Sequence, residues 1–85
     1  MKKQEVQRQK RLFGKRMNQL RKKDKKNIKT FAYLEAVTGI KDSNLCQIGK
    51  GNMNIEYETM LIIIEALDST VGEFFSDKMF FKQAR

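Results

Sequence analysis

Apolar residues recur at helical spacing along most of the chain, and no proline interrupts them. Residues three, four or seven apart lie on one face of an α-helix, whereas a strand would alternate at every second position. The first run, Val6, Phe13, Met17 and Leu20, predicts one amphipathic helix from Val6 to Lys23 whose polar face is almost entirely cationic. The pattern therefore predicts an all-α protein.

Four shorter helices are predicted to follow a charged linker at residues 24–27. Capping residues and glycines, which favour helix ends, mark their limits. These markers are Thr30 and Gly39 for the first helix, Asp42 for the second, Asn54 for the third, and Thr70 with Glu73 for the fourth. We expect a basic, flexible segment at 1–5, one domain at 6–77, and a tail at 78–85 that can be helical.

Positive charge is concentrated in the first third of the chain. Thirteen of the 18 Lys and Arg residues precede Thr30, together with two acidic residues, whereas the remainder carries five basic and eight acidic residues. The formal net charge is +8. This asymmetry predicts a polyanionic partner, bound by a basic segment that is attached to a nearly neutral folded body.

Length and residue usage argue against several classes of protein. A chain of 85 residues is one domain at most, and we find no constellation of nucleophile, base or metal ligands. Histidine is missing, and the single cysteine, Cys46, cannot close an internal disulfide. The longest apolar stretch, Met60–Ile64, is far below the ~20 residues of a membrane-spanning helix. We expect a cytoplasmic protein that is no enzyme and needs no metal or cofactor.

Two short helices joined by a tight glycine turn are typical of a helix-turn-helix, whose second helix enters the major groove of DNA. The apolar spacing fits such a motif of twenty residues. Counted from Phe31 as the first position, the buried positions four, nine, ten, fifteen and eighteen are Leu34, Gly39, Ile40, Leu45 and Ile48.

With these positions the chain resembles the lambda-repressor-like helix-turn-helix family, also called the xenobiotic-response-element (XRE) family, of bacterial and phage transcriptional regulators. The resemblance implies a five-helix domain that binds operator DNA, commonly as a homodimer on an inverted repeat. It extends from Phe13 to Phe75. The residues that carry it are Phe13 to Met17, Leu20, Arg21, Leu34, Thr38 to Ile40, Leu45, Ile48, Gly51, Asn54 to Thr59, Glu65 to Leu67, and Glu73 to Phe75.

The chain departs from the family pattern at two positions. The fifth motif position, usually alanine, is Glu35, and the glutamate that commonly follows the eighteenth position is Gly49. In relatives that glutamate pairs with an arginine of the first helix, which corresponds to Arg21 here. One hypothesis is that Glu35 replaces the missing partner of Arg21.

The second motif helix, at about 42–49, supplies the candidate DNA-reading side chains. Amides can bond adenine at two points, lysine reaches guanine acceptors, and serine bonds several bases. The predicted base contacts are Lys41, Ser43, Asn44 and Gln47, and the predicted phosphate contacts are Arg21, Lys29, Thr30, Lys50, Asn52 and Asn54. The predicted dimer contact consists of Ile62, Phe75, Met79, Phe80 and Phe81.

Three other roles remain open for such a domain. An antitoxin would bind DNA and a toxin partner, and an adaptor would bridge proteins with weak or no sequence-specific DNA binding. An RNA-binding protein is disfavoured because the aromatic residues fall on core-like spacing and not on a stacking platform. The alternatives to operator DNA as the single partner are therefore a protein together with DNA, or a protein in place of DNA.

Overall fold

The computed structural model describes residues 2–23 and 29–81, and every regular element within these ranges is an α-helix. The six helices of the described chain are α1 (Lys3–Lys23), α2 (Phe31–Thr38), α3 (Asp42–Gly49), α4 (Tyr57–Ala66), α5 (Val71–Phe75) and α6 (Lys78–Phe81). The all-α prediction is confirmed. Five helices were predicted, and the sixth, α6, lies in the expected tail. The linker at 24–27 and the tail end at 82–85 fall outside the described residues.

The long first helix begins at Lys3, three residues before the start that apolar spacing predicts at Val6. Its first turn is held by polar contacts instead. Glu5 accepts hydrogen bonds from Arg8 at 3.0 Å and from Gln9 at 3.2 Å, and a carboxylate is favourable at the positive end of a helix. Apolar spacing alone cannot detect a turn of this kind. None of the described helices combines the length and apolar character needed to cross a bilayer.

Three of the predicted helix ends are confirmed. The Thr30 hydroxyl accepts from the Tyr33 N–H at 3.1 Å, and the Thr70 hydroxyl accepts from the Glu73 N–H at the same distance. Gly39 ends α2 in the left-handed conformation, with φ of +80°. Each threonine satisfies an amide that the first turn of its helix leaves without a partner.

Two predicted caps are wrong. Helix α3 begins at Asp42 as predicted, but Asp42 is its first helical residue and Lys41 is the residue that precedes it. Asn54 does not cap α4, which begins three residues later with Glu56 as its flanking residue. The chain before α4 is not helical, and half-buried Met53 and Ile55 pack against the core there. Because these two side chains are used in a connecting segment, the helix starts only after them.

Helix α1 packs against α3 on one side and against α5 on another. Gln7, Gly14 and Asn18 approach α3 and the turn that follows it, whereas Phe13 and Arg16 contact Phe74 of α5. Helices α2 and α4 complete the shell around the buried side chains. These are Phe13, Met17, Leu34, Leu45, Ile48, Ile63, Ile64, Ala66, Leu67 and Phe74.

The crossing of α1 and α3 requires a glycine. A Cβ atom at Gly14 would overlap the carbonyl oxygens of Ile48 and Gly49, the second at 2.5 Å. Both obstacles are backbone atoms, so neither can rotate away as a side chain could. The two helices therefore lie closer together than any other residue at position 14 would permit.

Arg16 is a buried cation whose guanidinium forms hydrogen bonds to carbonyls at the C-terminal end of α5. Its guanidinium donates to the Phe74 carbonyl at 2.8 Å and to the Glu73 carbonyl at 2.9 Å, and lies 3.3 Å from the Asp77 carboxylate. Carbonyls at the last turn of a helix have no partner within the helix. Arg16 was expected on the cationic polar face of α1, but it binds these groups and is only 8% exposed.

We predict that Gly14→Ala lowers the free energy of unfolding by about 1–3 kcal/mol, because the added methyl group forces α1 and α3 apart. Urea unfolding measures the change. Gly72→Ala is the matched control, since open space surrounds that position, and it should be neutral or stabilising by up to about 1 kcal/mol. Equal stability of the two variants would contradict the close approach.

We predict that Arg16→Met lowers the free energy of unfolding by about 2–4 kcal/mol, because the buried Phe74 carbonyl loses its donor and Asp77 loses its ion pair, while the apolar volume is nearly kept. The exposed neighbour provides the control variant, Lys15→Met, which should change stability by less than about 0.5 kcal/mol. Thermal unfolding of both variants tests this, and a stability loss at Lys15 as large as that at Arg16 would refute it.

Candidate nucleic-acid interface

Four polar side chains form an exposed row on α3 and at its start. Lys41, Ser43, Asn44 and Gln47 are all exposed to solvent. Gln47 lies four residues after Ser43 and three after Asn44, so the three side chains share one broad helix face. On the opposite face Leu45 and Ile48 are buried in the core. The structure thus brings together the four predicted base contacts, and their functional role stays a prediction.

A carboxylate of α2 holds the start of this helix. The Glu35 side chain accepts a hydrogen bond from the Asp42 N–H at 3.1 Å. It thereby satisfies one of the free amides of the first turn of α3 and places negative charge at the positive end of the helix. The turn that joins α2 to α3 contains Gly39, whose N–H bonds the Glu35 carbonyl at 2.8 Å. Glu35 therefore fixes α3 relative to α2.

This contact overturns the hypothesis that Glu35 pairs with Arg21. The Arg21 guanidinium instead donates two hydrogen bonds to Asn18, at 2.9 and 3.0 Å, and one to the Lys29 carbonyl at 3.2 Å. It also lies over the Phe31 ring, 3.9 Å from its centroid. Asn18 lies three residues before Arg21 on α1, so helical spacing could have identified this pair, but the family pattern drew attention to a partner on another helix.

Partial burial lowers the pKa of Arg21 below its ordinary value, and the nearby Cys46 acts in the opposite direction. The guanidinium stays charged at neutral pH because its ordinary pKa is far above 7. Its donors are directed at Asn18 and the Lys29 carbonyl, so Arg21 stabilises the junction of α1 and α2. Cys46 itself is half-buried on α3 and is a free thiol.

The remaining predicted phosphate contacts occupy different environments. Thr30, Lys50, Asn52 and Asn54 are exposed. The Lys29 ammonium lies 2.8 Å from the Asp68 carboxylate, and its side chain is only 10% exposed. A phosphate at Lys29 would therefore have to displace Asp68, whereas the other four groups face solvent directly.

The end of α3 is covered by α1, which sequence reasoning did not anticipate. Gln7 donates to the Gly51 carbonyl at 2.7 Å, and the Arg11 backbone lies so close to Gly51 that a Cβ there would be 2.9 Å from the Arg11 Cα. Gly51 also has a φ of +78°, which favours glycine. Arg11, which is exposed, therefore lies next to Gly51, the residue that follows Lys50 at the end of α3. No signal in the sequence links these two cations.

The predicted dimer contact divides into buried and exposed parts. Phe75 and Phe80 are half-buried, and their rings stack edge to face with centroids 5.0 Å apart. Met79 is half-buried as well, whereas Ile62 and Phe81 are exposed by 41% and 68%. Phe75 and Phe80 therefore belong largely to an aromatic cluster with Phe74, and Ile62 and Phe81 offer apolar surface.

No protein-family model, curated protein or solved structure matches the chain. Within residues 2–23 and 29–81, no group of three or more metal-ligating side chains is close enough to hold an ion.

We predict that Glu35→Ala lowers the free energy of unfolding by about 0.5–1.5 kcal/mol, because α3 loses an acceptor at its first turn. Glu35→Gln keeps an oxygen that accepts hydrogen bonds and should cost less. Thermal unfolding of Arg21→Met and of the double variant with Glu35→Ala completes a mutant cycle. The two losses should add within about 0.5 kcal/mol, and a larger coupling would restore Glu35 as the partner of Arg21.

Proposed function

We propose that the chain is a sequence-specific regulator that binds double-stranded operator DNA with α3 in the major groove. The observation that carries the proposal is the exposed row Lys41, Ser43, Asn44 and Gln47 on a helix whose other face is buried. Such a helix presents side chains to base edges from a fixed position, and these residue types match the donors and acceptors found there.

The relation of α2 to α3 supports a helix-turn-helix at residues 31–49. Each helix has eight residues, Gly39 ends the first in the left-handed conformation, and Leu34 of the first helix and Leu45 of the second are fully buried. In that motif the first helix crosses the DNA backbone while the second reads the groove. The exposed Thr30 at the start of α2 then lies where a phosphate would be expected.

Exposed cations at both ends of α3 support a polyanionic partner for this helix. Arg11 and Lys50 are exposed at the end of α3, and Lys41 is exposed at its start. Asp42 is the sole acidic residue of α3. Cations that flank a reading helix contact phosphates and position it without reading sequence.

A homodimer on an inverted repeat is part of this proposal. Two copies related by a two-fold axis would place their reading helices about 34 Å apart, one turn of DNA. Exposed Ile62 and Phe81 supply apolar surface for the contact between copies. Phe75, Met79 and Phe80, which are half-buried, would contribute their exposed parts near Phe81.

A second candidate is an antitoxin or adaptor that binds a protein partner on the same fold. Adjoining exposed apolar side chains favour it, since Val37 is 54% exposed, Ile62 is 41% exposed, and both line one groove. Contiguous apolar surface marks interaction sites, whereas single exposed apolar side chains are ordinary. This role predicts binding to DNA that is weak or indifferent to sequence.

Selection of binders from random duplex DNA at physiological salt tests the proposal. We expect an inverted repeat with half-sites about 10 base pairs apart, which is lost when Ser43, Asn44 and Gln47 are all changed to alanine. Log affinity should fall with log salt with a slope of roughly −4 to −7, the value for about 5–8 phosphate contacts per dimer.

The matched control is Ser76→Ala, which removes an exposed polar side chain that follows α5 and is not a predicted DNA contact. Its hydroxyl bonds the Glu73 carbonyl, which keeps Arg16 as a donor in the variant. The control should keep the enriched sequence. Failure of the wild-type protein to enrich any sequence would refute operator binding and favour the adaptor role.

A further inference from the structure

We propose that Asn52 is a positioning residue that orients the Gln47 side chain for reading a base. The inference rests on the proposed function, because Gln47 is one of its base contacts. The observation behind it is a hydrogen bond of 3.2 Å from the Asn52 side-chain nitrogen to the Gln47 side-chain oxygen. Asn52 was expected to contact phosphate, and this bond assigns it a different task.

The backbone at the end of α3 places the two side chains together. The Asn52 N–H bonds the Gln47 carbonyl at 3.0 Å, and the Gly51 N–H bonds the Ile48 carbonyl at 3.0 Å. With Gly51 in the left-handed conformation, these are the two bonds of a Schellman motif. That motif folds the chain back over the last turn of the helix, so Asn52 returns to Gln47 although five positions separate them.

This turn is itself held in place. Gln7 donates to the Gly51 carbonyl at 2.7 Å, and the Arg11 backbone packs against Gly51. The position of Asn52 is therefore set by α1 and by the backbone of α3, and does not depend on its own side chain. Loss of the Asn52 amide should leave the turn intact.

The bond selects one orientation of the Gln47 amide. A glutamine amide has an oxygen that accepts and a nitrogen that donates, and a free exposed side chain presents either end. When Asn52 occupies one lone pair of the oxygen, the nitrogen is left to donate to a base, and the second lone pair of the oxygen can still accept. Adenine presents an acceptor at N7 beside a donor at N6, so this orientation suits adenine.

A phosphate contact and a positioning role have different consequences for DNA binding. A lost phosphate contact weakens binding to all sequences about equally, whereas a lost base-reading orientation relaxes preference at one base pair. Asn54 is the matched comparison, because it is an exposed asparagine close to Asn52 in sequence that makes no described contact with Gln47. The two asparagines can therefore be separated by their effects on sequence preference.

The test measures the binding of Asn52→Ala, Asn54→Ala, Gln47→Ala and the double variant Gln47→Ala with Asn52→Ala to the selected operator and its single-base variants. We expect Asn52→Ala to reduce discrimination about two- to tenfold at one base pair per half-site, the same pair that Gln47→Ala affects. The double variant should match Gln47→Ala, because Asn52 acts through Gln47. Asn54→Ala should leave discrimination unchanged.

A readout without DNA accompanies this test. Nitrogen-15 relaxation of the Gln47 side-chain amide should show greater motion in Asn52→Ala than in the wild type or in Asn54→Ala. Equal motion in all three proteins would overturn the proposal, as would a uniform loss of affinity in Asn52→Ala, which would make Asn52 a phosphate contact and leave the proposed function standing. A wild-type protein that enriches no operator would overturn both.

Discussion

The close approach of α1 to α3 is the contact on which the arrangement of the other helices depends. Gly14 lets the backbones of the two helices meet at Ile48 and Gly49, so α3 rests directly on the longest helix of the protein. The opposite side of the same turn carries Phe13 and Arg16, which hold α5. One turn of α1 thus positions both α3 and α5, and a methyl group at Gly14 would disturb both sides.

Charged side chains of one helix supply hydrogen-bond partners to the end groups of another helix. Arg16 of α1 donates to the last carbonyls of α5, and Glu35 of α2 accepts from the first turn of α3. Short helices gain little stability from their own hydrogen bonds, because nucleation is costly and their end groups stay without partners. Supplying those partners from neighbouring helices links the order of one helix to the order of another. In a domain of this size such links compensate for a small core.

For the proposed DNA-binding role, this arrangement matters because it holds the reading helix, α3, in one position. Helix α3 is held by Glu35 at its start, by buried Leu45 and Ile48 along one face, and by Gln7 and Asn52 around its final turn. Discrimination between bases depends on donors and acceptors placed before contact, since each side chain immobilised on binding reduces affinity. In the same way, the hydrogen bond from Asn52 to Gln47 would place a base-reading side chain before DNA is contacted.

The all-α class, the limits of α3 and the exposed polar face of that helix follow from apolar spacing and glycine positions, because burial of one face at helical period is a local property. Thr30 and Thr70 are likewise predictable, since each caps an amide three residues away. The partners of Glu35 and Arg16 at the ends of α3 and α5 are not predictable in this way, because they depend on which helix ends the packing brings near each charge. Arg21 differs, since its partner Asn18 lies three residues earlier on the same helix. The contact of Asn52 with Gln47 is local, because the left-handed Gly51 returns the chain to the last turn of α3, but apolar spacing carries no information about it. Sequence spacing determines which face of each helix is buried, whereas only tertiary packing determines which polar groups meet across the helices.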